Sequence, residues 1–167
     1  MNIGEQTYFD IIKAKTAAFF AAACAAGAKS TFHNDNDVNK FHLFGENLGI
    51  AFQIKDDLLD YGNADIGKPV GNDIRNKKIT LPLIYTLDNV KPKLRRVLLR
   101  IIRRRNKDSD SMNLVISEVY KAGGIDYAKS KMIYYRDEAL KILHEFPDSQ
   151  IRLALEDLVR FTTNRTY

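Results

Sequence analysis

The stretch that most restricts the fold of this chain runs from Val38 to Tyr61. Its apolar residues recur every three or four positions, which predicts one long amphipathic helix that begins next to Asp37 as its cap. These apolar residues are Phe41, Phe44, Leu48, Ala51, Phe52, Leu58 and Leu59. No stretch of the sequence alternates apolar and polar residues for long enough to predict a β-strand. The sequence therefore predicts an all-α fold.

Further helices are predicted on both sides of this one. Residues 6–27 have a strongly helical composition, and Gly27 is placed to end that helix. Thr80 is expected to open a short apolar helix that tolerates Pro82 in its first turn. The remaining predicted helices cover residues 91–104, 109–122, 124–145 and 148–161. Residues 62–78 contain Gly62, Gly67, Pro69 and Gly71, which predicts a long loop. A loop of this length indicates a functional role.

The amino-acid composition and the net charge exclude some classes of function. The 167 residues suffice for one domain with a substantial core, and Cys24, the single cysteine, excludes an internal disulfide and a cysteine-based zinc site. His33, His42 and His144 do not have the spacing of common zinc motifs. The net charge of +5 suits an anionic small molecule, nucleic acid or an acidic membrane surface.

The alanine-rich segment of residues 16–28 allows two interpretations. Lys13 and Lys15 precede the segment and small residues follow, which is a weak likeness to a secretory leader. Its alanines are only weakly apolar, however, and Glu5 and Asp10 interrupt the region before it. We therefore expect a buried helix that packs closely against its neighbours, with Lys15 in a place where a buried lysine needs an explanation, and we expect a cytoplasmic protein.

The chemistry-bearing element is the sequence DDLLD, which contains Asp56, Asp57 and Asp60. Asp56 and Asp60 lie one turn apart on a helix, and Asp57 lies beside them. Clustered carboxylates suit Mg2+, which binds a few carboxylates together with substrate phosphates. A solvated acidic helix face is the alternative.

The same helical stripe continues away from the aspartates through Gln53, Gly49 and Gly45. A glycine inside a helix costs about 1 kcal/mol relative to alanine, so two on one stripe need a reason. Close helix packing is one reason, and room for an apolar ligand beside the metal end is the other.

Cations follow the aspartates in the next loop. These are Lys68, Arg75, Lys77 and Lys78, and Lys15 with Thr16 offers a further cation and hydroxyl. Lysines bind phosphate as compact charges, and glycine turns let backbone amides approach it. Mg2+ and lysines around a diphosphate, next to an apolar groove, predict a prenyl diphosphate site.

Several motifs carry a resemblance to a known family. GENLGIAFQIKDDLLDYGNADIGKPVGNDIRNKKITLPLIYTL resembles the second aspartate-rich region of trans-isoprenyl diphosphate synthases. YFDIIKAKTAAFFAAACAAGA is similar to the helix with the family's KTA motif, and GGIDYAKSKMIYYRDEALKIL and the closing NRTY are similar to its C-terminal helices. The family often has glycine in place of Lys77.

This resemblance implies a bundle of antiparallel helices around a deep apolar cavity. It implies condensation of an allylic diphosphate with isopentenyl diphosphate, with Mg2+ as cofactor and a homodimer as the assembly. The metal ligands would be Asp56, Asp57 and Asp60, with Asp73 in support. The residues that hold the allylic diphosphate would be Lys15, Thr16, Gln53, Lys68 and Lys78, of which Lys15 and Lys68 would be catalytic.

The family also has a first aspartate-rich motif followed by paired arginines, and neither precedes Lys15 in this sequence. We therefore interpret residues 1–167 as one domain that corresponds to the C-terminal portion of such a synthase, an incomplete bundle with little activity alone. The absent helices would leave an apolar face that favours dimerisation or misfolding.

Two other functions compete with this one. The first is a non-catalytic partner subunit of a complete synthase. The second is nucleic-acid binding by the nine basic residues between Lys91 and Lys107, a run without acidic residues. An apolar stripe on the opposite side of that helix favours a solvated surface, or at most peripheral attraction to an acidic membrane, so no nucleic-acid partner is expected.

Overall fold

The computed structural model describes residues 4–31, 34–62, 71–104 and 108–165. Within these ranges the regular structure is helical, which confirms the all-α prediction. The helices in chain order are α1 (Glu5–Ile12), α2 (Ala18–Lys29), α3 (Asp35–Leu59), α4 (Asn72–Arg75), α5 (Leu81–Asn89), α6 (Pro92–Arg104), α7 (Ser109–Lys121), α8 (Gly124–Leu143) and α9 (Gln150–Asn164). A π-helical segment, Lys13–Ala17, joins α1 to α2.

Most helix boundaries differ from the sequence prediction by a few residues, and the short helix α4 lies inside the predicted loop of residues 62–78. Two of the boundary differences have a clear local cause. The α2 helix runs through Gly27 to Lys29, because Gly27 has an ordinary helical backbone and the chain leaves the helix at Ser30. Asn34, not Asp37, caps α3: its side-chain oxygen accepts a hydrogen bond from the backbone N–H of Asp37 at 2.8 Å. The cap therefore lies three residues before the predicted one, where it satisfies a free N–H of the first turn.

The chain divides into two compact units, and α1, α3 and α8 each contribute to both. The first unit consists mainly of residues 56–129 together with the N-terminal residues up to Tyr8. Its core includes Leu83 and Leu87 of α5, Leu98 of α6 and Val115 of α7. The predicted start of α5 is confirmed, since Thr80 is its N-cap and Pro82 lies in its first turn.

The second unit consists of residues 9–55 and 130–166. Its core is formed by Phe44, Leu48, Ala139, Leu143 and Val159. Beside this core, α2, α3 and α9 line an open apolar cavity of about 310 Å³.

The alanine-rich helix is buried on one side only, so the expectation of a buried helix was half right. Ala17, Ala21 and Ala28 are buried, but Phe19 is 75% exposed. Residues Glu5–Lys29 are long and apolar enough to span a membrane, and 22% of the most apolar window is buried. Core helices and leader segments pass the same test, so this finding is weak evidence of a span.

Candidate active site

Lys15 and Thr16 lie in the π-helical segment, which interrupts an otherwise continuous run of α-helix. A π turn inserts one extra residue and leaves backbone groups outside the regular pattern, and such turns are frequent at functional sites. The hydroxyl of Thr16 donates a hydrogen bond to the side-chain oxygen of Gln53, at 3.1 Å. The structure thus brings together two of the predicted diphosphate-binding residues. Lys15 is exposed, so the expectation that it is a buried lysine was wrong.

The glycine stripe on α3 serves helix packing. A Cβ atom on Gly45 would lie 2.5 Å from the backbone oxygen of Phe20, and one on Gly49 would lie 2.6 Å from Cα of Ala17. Real Cβ atoms do not come this close to a backbone, so any side chain here would push α2 away from α3. The prediction of a ligand groove along this stripe was therefore wrong at both glycines, and the packing alternative is confirmed.

Asp57 faces the protein interior. Its side chain is 6% exposed, and its Oδ2 accepts a hydrogen bond from the Tyr8 hydroxyl at 2.7 Å and one from the backbone N–H of Leu81 at 3.4 Å. Burial, followed by the charge of Asp57, raises the pKa of Tyr8 above its ordinary value, so Tyr8 stays protonated and remains the donor. Asp57 thus ties the end of α3 to α1 and to the start of α5.

Asp60 lies directly after α3, where it is half-buried. Its Oδ2 accepts a hydrogen bond from the backbone N–H of Asp73 at 3.0 Å. Burial is the main cause of a pKa above the ordinary aspartate value, and the backbone hydrogen bonds from Asp73 and Asn72 oppose that rise. Because burial favours the neutral form, a charged Asp60 costs stability at neutral pH.

Lys78 forms an ion pair with Asp73, whose Oδ1 lies 2.8 Å from the lysine Nζ. The hydrogen bond to Asp73 is the main reason that the pKa of Lys78 is above its ordinary value, so Lys78 stays charged. Lys78 therefore belongs to the same hydrogen-bonded group as Asp60 and Asp73. The turn before it puts Lys77 at a φ of 59°, a left-handed conformation in which glycine has no steric penalty. This geometry gives a physical reason for the glycine that the related family often has at this position.

The three aspartates of DDLLD do not converge on one point. Among the residues that the structure describes, no group of three metal-ligating side chains is close enough to hold an ion. Helical geometry explains this, because Asp57 lies about 100° around the helix axis from Asp56 and is held by Tyr8. Asp56 and Asp60, both partly exposed, still fit Mg2+, which commonly takes one or two carboxylates and completes its shell with water and substrate phosphates.

Lys68, the remaining predicted site residue, lies outside the described residues. Two features of the site were not predicted from the sequence. Tyr8 was not singled out in the sequence, although a hydroxyl on a buried stripe needs a partner and could have suggested one. The π-helical segment has no recognisable signal in the composition of the helix.

Comparison with known proteins places these motifs in a family. Residues 1–119 match the polyprenyl synthetase family. The chain belongs to this family, the trans-isoprenyl diphosphate synthases. It is 36% identical to a geranylgeranyl diphosphate synthase of Sulfolobus acidocaldarius over 99% of this chain and 51% of that protein. It is also 31% identical to heptaprenyl diphosphate synthase component 2 of Geobacillus stearothermophilus, over 97% of this chain and 50% of that protein.

Solved structures agree with this assignment. A polyprenyl synthase from Caulobacter crescentus, solved in complex with calcium and isoprenyl diphosphate, is 35% identical and superimposes with a TM-score of 0.89. The match covers 99% of this chain and 51% of that one. The helical fold predicted from the resemblance is thereby confirmed. The chain spans about half the length of the relatives that it matches.

Proposed function

We propose that this chain supplies part of the active site of a Mg2+-dependent prenyl diphosphate synthase. The proposed reaction breaks the C–O bond of an allylic diphosphate, forms a C–C bond to isopentenyl diphosphate and releases a proton and diphosphate. The observation that best supports this function is the group around Asp60, a half-buried carboxylate with a raised pKa, adjoined by the Asp73–Lys78 ion pair. A charged group that costs stability is typical of a functional site.

The chain's own residues have distinct roles in this proposal. Asp56 and Asp60 would hold Mg2+, which when bound supplies positive charge to a departing diphosphate. Asp57, fixed by Tyr8 and Leu81, holds the end of α3 in place. Together these residues account for the metal part of the proposal.

The residues for the diphosphate itself are mostly cations and hydrogen-bonding groups. Lys15 and Lys78 are exposed cations that suit phosphate oxygens. Thr16 and Gln53 are already oriented by their mutual hydrogen bond, so less side-chain freedom is lost when a ligand binds. Lys68 keeps the diphosphate-binding role that the resemblance implies.

Because the chain matches about half of each relative, we propose that turnover also needs residues that this chain does not contain. The test is to incubate the purified chain with Mg2+, geranyl diphosphate and isopentenyl diphosphate and to identify products by mass spectrometry. We expect little or no elongation. Robust elongation by a preparation of verified intact mass would contradict the proposed need for further residues.

A second candidate function is that of a non-catalytic partner subunit. The relatives named heptaprenyl diphosphate synthase component 2 support a partner subunit of some kind, since that name denotes one part of a synthase. The two functions differ in what the aspartates do. If Asp56→Asn/Asp60→Asn abolishes prenyl transfer in a reconstituted complex, the chain supplies active-site residues; if activity is unchanged, it is a non-catalytic subunit.

Exposed apolar side chains support a protein partner in either case. Phe19 of α2 and Ile151 and Phe161 of α9 are 75%, 74% and 60% exposed. We propose that a second copy of the chain, as a homodimer, or the rest of the synthase covers these faces. Light scattering after size exclusion distinguishes a dimer from a monomer.

A further inference from the structure

The surface of α6 carries an unusual concentration of positive charge. At 100° per residue, its exposed cations fall within an arc of about 100° on a helix of about 20 Å. The residues of this basic face are Lys93, Arg96, Arg100, Arg103 and Arg104, all exposed. The segment between Lys91 and Arg104 contains no acidic residue that could neutralise them.

The opposite side of α6 packs into the core. Leu98, Ile101 and Ile102 are buried in the core of the first unit. The ion pair of α6 in the described part of the chain joins Arg95 to Asp88, with 3.6 Å between nitrogen and oxygen, and Arg95 lies off the basic face. The helix is therefore anchored by its apolar side and presents an uncompensated row of cations to its surroundings.

We propose that the basic face of α6 binds the anionic headgroups of a lipid bilayer. Arginine forms paired hydrogen bonds to phosphate oxygens, and a row of cations on one straight helix matches a plane of negative charge. The apolar side of α6 is committed to the core, so the helix adsorbs on the bilayer without inserting into it. This mode differs from that of an amphipathic helix that buries its apolar face in lipid.

The composition of the basic face favours a flat anionic surface over single-stranded nucleic acid. Proteins that bind single-stranded nucleic acid place aromatic side chains, on which the bases stack, beside their cations, and no aromatic side chain lies within the arc of the basic face. The residue at its edge is Val97, which is 40% exposed. The choice of a lipid surface rests on the proposed function, because the product of that reaction has an apolar chain that partitions into bilayers.

The test is co-sedimentation of the full chain with vesicles of phosphatidylcholine, with and without 30% phosphatidylserine by composition, at low and high salt. We expect binding to the anionic vesicles alone, and its loss at high salt. Each basic residue near an anionic surface contributes about fivefold to binding, so Arg100→Gln/Arg103→Gln should weaken it about 25-fold, and Arg100→Glu/Arg103→Glu further. Circular dichroism spectra would verify that the variants fold.

The matched control is Lys129→Glu/Lys141→Glu, which changes the net charge by as much as the arginine reversal, at exposed positions of α8. It should retain vesicle binding within about threefold, because neither lysine belongs to the basic face. Equal binding to neutral vesicles, or an equal loss in this control, would overturn the proposal. Tighter binding of the wild type to duplex DNA than to anionic vesicles at the same salt would overturn the choice of lipid.

Failure of this proposal can be distinguished from failure of the proposed function. Asp56→Asn/Asp60→Asn should lose Mg2+-dependent binding of geranyl diphosphate and keep vesicle binding. Arg100→Glu/Arg103→Glu should show the reverse. Loss of vesicle binding in the aspartate variant would contradict the assignment of this binding to α6.

Discussion

The two halves of α3 have different roles, although both contribute residues to one helical stripe. In the first half, Gly45 and Gly49 have no side chain because the backbone of the preceding helix lies against them. At the other, acidic end lie Asp56, Asp57 and Asp60, of which Asp57 is held by a buried hydrogen bond from Tyr8. The packed half is determined by steric fit, whereas the acidic end keeps a half-buried carboxylate, Asp60, that costs stability. Substitutions in the two halves should therefore have opposite consequences for folding and for ligand binding.

The largest expected effect is at the packed half. Gly45→Ala places a Cβ against the Phe20 backbone and should lower the free energy of unfolding by about 3 kcal/mol, the upper range for an overpacked core. Gly27→Ala is the control, because a Cβ at Gly27 meets nothing within 4 Å; it should raise the free energy of unfolding by about 0.5–1 kcal/mol. Urea denaturation measures both. Equal effects at the two glycines would refute the packing role of Gly45.

Tyr8→Phe tests whether Asp57, at the acidic end of α3, stabilises the fold. It removes the donor at 2.7 Å and leaves a buried carboxylate with one hydrogen bond fewer, so we expect a loss of about 2 kcal/mol in unfolding free energy. Tyr134→Phe, at an exposed tyrosine, should change it by less than about 0.5 kcal/mol. Thermal and urea unfolding of the two variants would give the comparison, and equal stabilities would show that the Tyr8 hydroxyl contributes nothing.

Lys77→Gly tests the turn that leads from the acidic end to Lys78. Because Lys77 has a φ of 59°, glycine should raise the free energy of unfolding by about 1 kcal/mol. The neighbouring Asn76 has a φ of −86°, so Asn76→Gly should lower it by about 0.5 kcal/mol instead. Urea midpoints that shift in the same direction for both variants would contradict the strain assigned to Lys77.

The smallest expected effect on stability is that of Asp60→Asn. It should raise the free energy of unfolding, whereas Gly45→Ala should lower it. Burial raises the folded-state pKa of Asp60 above its value in the unfolded chain. The stability of the wild type is therefore favoured at acid pH and falls as pH rises through the folded pKa. Asp60→Asn should raise the free energy of unfolding at pH 7 by about 0.5 kcal/mol, and the difference should vanish below the unfolded pKa. A variant less stable than the wild type at pH 7 would contradict this account.

Sequence reasoning predicted the helices well, because helical spacing of apolar residues and the chemistry of Thr80 and Pro82 are local signals. It also proposed the aspartates and the cations around them as site residues, from spacing and resemblance, and this remains a prediction. It left the role of Gly45 and Gly49 open, since a glycine stripe predicts a groove and a close contact equally well until the neighbouring helix is known. The orientation of Asp57 depends on Tyr8, which lies 49 residues earlier in the chain, and no local pattern encodes such a pair.

The most direct test of the account is calorimetric binding of geranyl diphosphate to the chain, with and without Mg2+. We predict binding that requires Mg2+ and weakens at least about tenfold in Asp56→Asn/Asp60→Asn, where two hard oxygen ligands are lost. Gly27→Ala, which leaves the acidic end intact, should bind as the wild type does. Binding that is equally tight without Mg2+, or unchanged in the aspartate variant, would contradict the assignment of this end of α3 to a metal–diphosphate site.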